Sequence, residues 1–286
     1  MTRSEDKSRL RAVVNLRAKA YQWFRYHVPV RVRRALKAAP GVSGAAESAR
    51  PHGDLWLPVK LAPGLERTML LPEAFHWISY EGYESGPLRW IFDNVEPAFT
   101  CLDVGGHIGV FSVLMAELVG PSGSVHTFEP FPPSLDIARQ TMERNSLADR
   151  VTIVQAAVDE LDGGTAELFV GEGTSEASLY GHDTRTATIT VPRITLAAYV
   201  DGAGLDRVDV IKMDIEGAEE RALRGATGIL KRFSPKLLLE VHGRKSVGSL
   251  EVLGAHGYHI TTFHGDPVSA ATFPDSIMQV VATRDV

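Results

Sequence analysis

The sequence predicts an α/β fold, a mostly parallel sheet with helices on both faces, and three observations predict it. From Thr100 onward, strand-like and helix-like segments alternate. The strand segments are near-continuous apolar runs rather than alternating ones, as expected when both faces of a sheet are covered. At 286 residues, 44% of them apolar and 23% charged, the chain is long enough to bury a sizeable core without staples.

Several classes are set aside by composition. A single cysteine, Cys101, allows no intramolecular disulfide and suits a reducing compartment. No apolar run approaches the roughly 18 residues of a membrane span. The basic N-terminus lacks the apolar core and small-residue cleavage site of a signal peptide. A cytoplasmic location is expected. The net charge of −5 hides an asymmetry. Residues 1–40 carry eleven Lys or Arg against Glu5 and Asp6, a net of +9, and the remaining 246 residues sum to −14.

Taken in order, residues 1–53 read as a basic helical arm and linker, and residues 54–286 as one domain. The arm interleaves its charges with Leu10, Trp23, Phe24 and Tyr26. That mixture suits packing on the body, or peripheral attachment to the inner, anionic face of a membrane. Ala39 to Gly53 has linker composition. Leu55–Leu61 and Thr68–Leu71 read as short strands. Thr100–Val104 is a strand, followed by glycines and a helix bearing Phe111, Leu114, Met115 and Leu118. Ser124–Glu129 is the second strand, and Pro132 and Pro133 open a helix. Val151–Val158 is the third. Residues 165–170 and 186–192 alternate polar and apolar, as an inserted hairpin does. Val208–Met213 is the fourth strand, followed by one helix through Ala222, Ala226 and Leu230. Lys236–Val241 is the fifth, Leu250–His256 a helix, and Tyr258–Phe263 and Ile277–Thr283 close the sheet.

Ligands of such sheets bind at the carboxyl ends of the strands. After the first strand stands Asp103-Val104-Gly105-Gly106-His107-Ile108-Gly109. A dinucleotide fingerprint needs glycine at the first, third and sixth places. His107 or Ile108 occupies the third place, so a nicotinamide cofactor is disfavoured. After the second strand comes Glu129-Pro130, a carboxylate placed to accept hydrogen bonds from ribose hydroxyls. After the fourth comes Lys212-Met213-Asp214-Ile215-Glu216-Gly217-Ala218-Glu219, in which Glu216 and Glu219 open a helix and complement its dipole. Asp214 has no such structural reason. After the fifth, Glu240 and His242 flank Val241 and share one face. An acid beside a Glu/His pair can act as a base or hold a divalent cation.

These segments resemble the FkbM family of class I methyltransferases, which use S-adenosylmethionine, over about residues 80–243. The Asp103–Gly109 loop with Ser112, Glu129-Pro130 and above all Asp214–Glu219 carry the resemblance, with Glu143-Arg144-Asn145 and Ala156–Val158 beside them. It implies a Rossmann-like, seven-stranded sheet whose last strand is antiparallel, and methyl transfer to a hydroxyl of a sugar, glycolipid, polysaccharide or polyketide-type acceptor. By position, Gly105 and Gly109 lie against the methionine portion of the cofactor, Asp103 is near its amino group, and Glu129 binds its ribose. Ala157 and Val158, with Asp159, edge the adenine. Gly106 and His107 depart from a usual Ala-Asn pair, and Ala157 stands where many class I enzymes place an acid.

For catalysis, Asp214 and His242 are expected to face the acceptor hydroxyl, with His242 neutral near pH 7 and therefore suited to a base. The second expectation is Mg2+ held by Asp214 and Glu240. A nicotinamide-dependent oxidoreductase and a non-catalytic binding module on the cofactor fold are the alternatives. A nucleic-acid partner is disfavoured by the acidic body and the lack of an aromatic–basic platform. Nothing in the sequence fixes an oligomeric state.

Overall fold

A computed structural model describes residues 53–80, 82–170, 177–178 and 187–284. The basic arm, most of the linker and most of the segment between the two hairpin strands lie outside the described residues. The chain divides into two compact units, the first ending at Ser85 and the second starting at Gly86.

In the first unit β1 (Leu55–Ala62) and β2 (Leu65–Leu71) form an antiparallel hairpin in which Leu55 faces Leu71 and Lys60 faces Glu66. A 3₁₀ segment follows at Glu73–Ser79.

Helix α1 (Ser85–Asn94) belongs to the second unit from Gly86 onward and buries Leu88 and Ile91. The alternation then follows as the patterning predicts: β3 (Thr100–Val104), α2 (Val110–Val119), β4 (Ser124–Phe128), α3 (Pro132–Arg144) and β5 (Val151–Val154). Next come β6 (Ala157–Val158), β7 (Thr165–Val170), β8 (Ala177–Ser178) and β9 (Ala187–Ile194). Then follow α4 (Leu196–Gly202), β10 (Val210–Met213), α5 (Glu219–Arg224), α6 (Thr227–Phe233), β11 (Lys236–His242), α7 (Gly248–Ala255), β12 (His259–Thr261) and β13 (Ile277–Thr283). Thr195 caps α4 by accepting from the Ala198 amide at 3.1 Å.

Seven strands form one sheet in the order β12-β13-β11-β10-β3-β4-β5. β13 runs antiparallel to both of its neighbours, and the pairs from β11 across to β5 are parallel. The order reverses between β3 and β10, which places the crevice of the topological switch point at their carboxyl ends. Every residue of β3 and β10 is buried. The main core packs Leu102, Val104, Ile211, Met213, Leu237 and Leu239 of the central strands against Leu223, Ile229, Leu230 and Leu253 of the helices.

Two elements differ from expectation. Val151–Val158 is not one strand. The Ala156 amide turns back to the Val154 carbonyl (3.1 Å), and Ala157–Val158 leaves the main sheet to pair in parallel with Arg193–Ile194 of the inserted hairpin. The helix after β10 is two short helices broken at Gly225. A Cβ there would sit 2.3 Å from the Asp159 carbonyl oxygen, so the chain's close approach to the Asp159 loop requires glycine. The hairpin itself forms as expected, with Thr165 opposite Pro192 and Val170 opposite Ala187. Among the described residues no helix is long and apolar enough to cross a membrane.

Candidate active site

The glycine loop at the end of β3 is fixed by its neighbours. The amides of Gly105 and Gly106 both donate to the Phe128 carbonyl, at 2.9 and 3.0 Å. Gly105 has φ +80°, and a Cβ on it would lie 1.9 Å from the carbonyl oxygen of Asp214. The loop after β3 and the loop after β10 are thus packed backbone to backbone. Gly109, at φ +88°, precedes the first residue of α2.

Beneath this loop lies a buried polar group that patterning missed. Asp103 accepts from the Ser112 hydroxyl at 2.5 Å, and its other oxygen lies 3.4 Å from Lys212 Nζ. Lys212 also donates to the Gly105 carbonyl (2.8 Å), and its ammonium stands 5.2 Å from the Phe111 ring centre. Burial alone would lower the Lys212 pKa, but Asp103 and Asp214 outweigh it and hold the ammonium charged. The signal was present, since a lysine inside a four-residue buried strand needs an anionic partner. Asp103 is therefore a brace inside the protein, engaged with Ser112 and Lys212.

Glu129 directly follows β4 and is buried. Its Oε1 accepts from the Phe131 amide (2.8 Å) and its Oε2 from the His107 amide (2.9 Å), so it ties the glycine loop to the start of α3. Burial pushes its pKa up to about 7, against the opposing pull of these two amides and of Lys212. A carboxylate accepts from ribose hydroxyls better than a carboxylic acid does. Methylthioadenosine, which carries the ribose without a titrating amino-acid portion, is therefore expected to bind more weakly below pH 7. The expected loss is up to about tenfold per pH unit, flat above pH 7 and absent in Glu129→Gln. Calorimetry at three pH values checks this, and a pH-independent wild-type affinity overturns it.

Ala157 and Val158 are buried at the start of the hairpin sheet. Asp159 is committed elsewhere: Arg221 Nη2 reaches its Oδ2 at 2.6 Å, Arg193 Nη1 lies 3.9 Å from the same oxygen, and its Oδ1 accepts from the Glu160 amide. The carboxylate anchors the hairpin to α5.

At the ends of β10 and β11 the structure brings Asp214, Glu240 and His242 together, with Glu216 and Glu219. Glu219 is fully buried and its Oε1 accepts from the Ile215 amide, the Gly217 amide and His242 Nδ1, each at 3.1 Å. Two amides converging on one oxygen fold the loop sharply, and Glu216 takes φ +56°. Glu219 is therefore more than a dipole-complementing acid. It orients an imidazole from another strand, which a linear sequence does not reveal. His242 Nε2 points the other way and lies 3.4 Å from Glu216, 3.5 Å from Glu240 and 3.9 Å from Asp214. Glu240 is itself held, through its other oxygen, by Gln279 Nε2 at 2.9 Å.

The expectation of a neutral His242 is corrected by this surrounding. Burial by itself lowers the ring's pKa, but Glu216, Glu219 and Asp214 outweigh it and push it up to about 12. Without another cation the ring is an imidazolium at neutral pH and cannot accept a proton. The expected Mg2+ site at Asp214 and Glu240 fits poorly for a related reason. The imidazole belongs to the same donor group, whereas Mg2+ demands oxygen ligands in near-ideal octahedral geometry.

The chain is similar to known methyltransferases. The methyltransferase FkbM domain matches residues 103–264, more than half of the chain. The 31-O-demethyl-FK506 methyltransferase FkbM of Streptomyces tacrolimicus is 24% identical over 222 residues, covering 67% of this chain and 83% of that protein. A protein-L-isoaspartate O-methyltransferase of Hyperthermus butylicus is 36% identical over 70 residues, 22% of this chain and 29% of that protein. The chain thus spans less than a third of that relative's length. The crystal structure of methyltransferase FkbM from Methylobacillus flagellatus superposes with a TM-score of 0.45 at 18% identity, over 70% of this chain and 51% of that one. With its loops after β3, β4 and β10 all inside the matched span, the chain belongs to the FkbM family of S-adenosylmethionine-dependent methyltransferases.

Proposed function

We propose that this protein transfers the methyl group of S-adenosylmethionine to a hydroxyl oxygen of a sugar, glycolipid, polysaccharide or polyketide-type acceptor. One observation carries the reading. The Glu219–His242 pair and Asp214 converge at the adjacent ends of β10 and β11, and the Asp214 peptide packs directly on Gly105 of the glycine loop. A methyl donor seated on that loop has these side chains beside its reactive end.

In this reading Gly105 and Gly109 contact the methionine portion and Glu129 holds the ribose. Ala157 and Val158 edge the adenine. The acceptor oxygen attacks the methyl carbon in line, the carbon–sulfur bond breaks with its electron pair on sulfur, and the hydroxyl proton passes to Asp214. Alignment and exclusion of water are the protein's main contributions. General-base assistance typically adds about 10²–10⁴-fold. The His242 ring, with Nε2 3.9 Å from Asp214 Oδ1, stands beside that carboxylate and helps to position it. The name of the Streptomyces relative, a demethyl-FK506 methyltransferase, supports an oxygen acceptor.

The test is incubation of the protein with methyl-labelled S-adenosylmethionine and a panel of hydroxylated glycans and polyketides, read by mass spectrometry. Label is expected on a hydroxyl oxygen, and Asp214→Asn is expected to lose transfer while still binding S-adenosylhomocysteine. Label confined to carboxyl groups would overturn the acceptor class. Failure to bind either nucleoside would favour an idle binding module.

A further inference from the structure

The geometry points to a binding site for a borderline transition-metal ion, of the Mn2+, Fe2+, Co2+ or Zn2+ class and not Mg2+, formed by Asp214, Glu240 and His242. One ligand atom from each of the three lies within 4.8 Å of the others. Ligand bonds of about 2.1 Å place neighbouring donors about 3.0–3.5 Å apart. His242 Nε2 is already 3.5 Å from Glu240 Oε1 and 3.9 Å from Asp214 Oδ1, so a small contraction completes the set.

A cluster of acids alone would say little, and His242 supplies the second observation. Its side chain is only 8% exposed, and Nε2 is aimed into the carboxylates at 3.4–3.9 Å from Glu216, Glu240 and Asp214, with no well-formed hydrogen bond to Glu240 or Asp214. The other ring nitrogen is held by Glu219, the carboxylate–imidazole arrangement that orients metal-bound histidines. Glu240 is backed in the same way by Gln279. Asp214 Oδ1 is a buried oxygen without a hydrogen bond, although the rest of its side chain is 30% exposed and opens the site to solvent. Two carboxylates and one imidazole are a mixed donor set, which selects borderline divalent ions over magnesium.

This inference deepens the proposed reaction by putting an ion in place of the His242 ring proton at its acceptor side, and it rests on that reading for the ion's role but not for its binding. The test uses the full chain, stripped with a chelator, and neither methyl donor nor acceptor. Titration with Mn2+, followed by the electron paramagnetic resonance signal of the free ion, is expected to show one site per chain. Zn2+ should displace the ion, and a hundredfold excess of Mg2+ should not. Asp214→Asn and Glu240→Gln should each weaken binding at least tenfold. Asp136→Asn, an exposed acid on α3, should leave it unchanged. Should the variants fail to fold, the visible spectrum of the wild-type Co2+ form decides, because nitrogen ligation in a low-coordinate site gives intense bands and a hydrated ion gives weak ones. Absence of a site for Mn2+, equal competition by Mg2+, or a hydrated-type Co2+ spectrum overturns the proposal and leaves the methyl transfer metal-free. Loss of nucleoside binding with the ion site intact overturns the reaction and spares the ion.

Discussion

Gly105→Ala is expected to weaken S-adenosylmethionine binding by more than about 100-fold, by analogy with other misplacements of reacting groups, and to destabilise the second unit by at least about 3 kcal/mol. Two effects combine. An alanine at φ +80° is strained, and its Cβ would stand 1.9 Å from the Asp214 carbonyl oxygen and 2.9 Å from the adjoining carbon. Those are backbone atoms at the end of a buried strand, so the loop after β3 must move away. It then loses the Lys212 bond to the Gly105 carbonyl. For a unit of this size the melting temperature should fall by roughly 6–12 °C. Gly106→Ala is the informative contrast. Gly106 lies outside the left-handed region, and the obstacle to its Cβ is the Thr127 methyl carbon at 2.2 Å. Thr127→Ser removes that methyl and keeps the hydroxyl that bonds Ser112 at 2.8 Å. Thr127→Ser should therefore restore most of the stability lost in Gly106→Ala and none of that lost in Gly105→Ala. Thermal melts of the single and paired variants read this directly. Rescue of Gly105→Ala by Thr127→Ser would show that the backbone contact does not set the loop.

The contrast also marks how far the sequence could be read. Strand identity was legible because the central strands are buried on both faces and leave continuous apolar runs, and Ile277–Thr283 was placed to the residue. The strand-end positions of Asp103, Glu129, Asp214, Glu240 and His242 followed from the same runs. What the sequence withheld was the pairing of these side chains across strands. Asp103 reads as a ligand-facing acid until Lys212 is seen from the neighbouring strand, and Asp159 until Arg221 and Arg193 are seen. Glu219 has a sufficient local explanation in the helix dipole, and that local explanation conceals its distant partner. The break of Val151–Val158 depended on a competing hydrogen-bond partner about forty residues later, Ile194, which accepts from the Asp159 amide.

Glu219 gives the second large effect, and two substitutions separate its charge from its scaffolding. Glu219→Ala leaves the Ile215 and Gly217 amides and the His242 ring without their acceptor. A buried polar group stripped of its partner costs about 1–3 kcal/mol, so the loop after β10 should lose more than about 4 kcal/mol in all. The melting temperature should fall by roughly 10 °C or more. Glu219→Gln keeps an acceptor oxygen on the same three donors and removes only the charge. Its amide nitrogen would occupy the position of Oε2, which has no hydrogen-bond partner in the carboxylate. This variant should fold with a small loss of stability, yet turn over roughly 10–100-fold more slowly, the usual effect of removing a carboxylate that orients a functional histidine. The Michaelis constant for S-adenosylmethionine should not move, because the contacts proposed for the nucleoside come from the ends of β3 and β4. A slowed turnover with unchanged cofactor affinity in Glu219→Gln, beside a destabilised Glu219→Ala, identifies Glu219 as a positioning residue acting through His242. Equal turnover in wild type and Glu219→Gln would mean that the Glu219 carboxylate serves only to fold the loop, and that Asp214 works without help from an oriented His242.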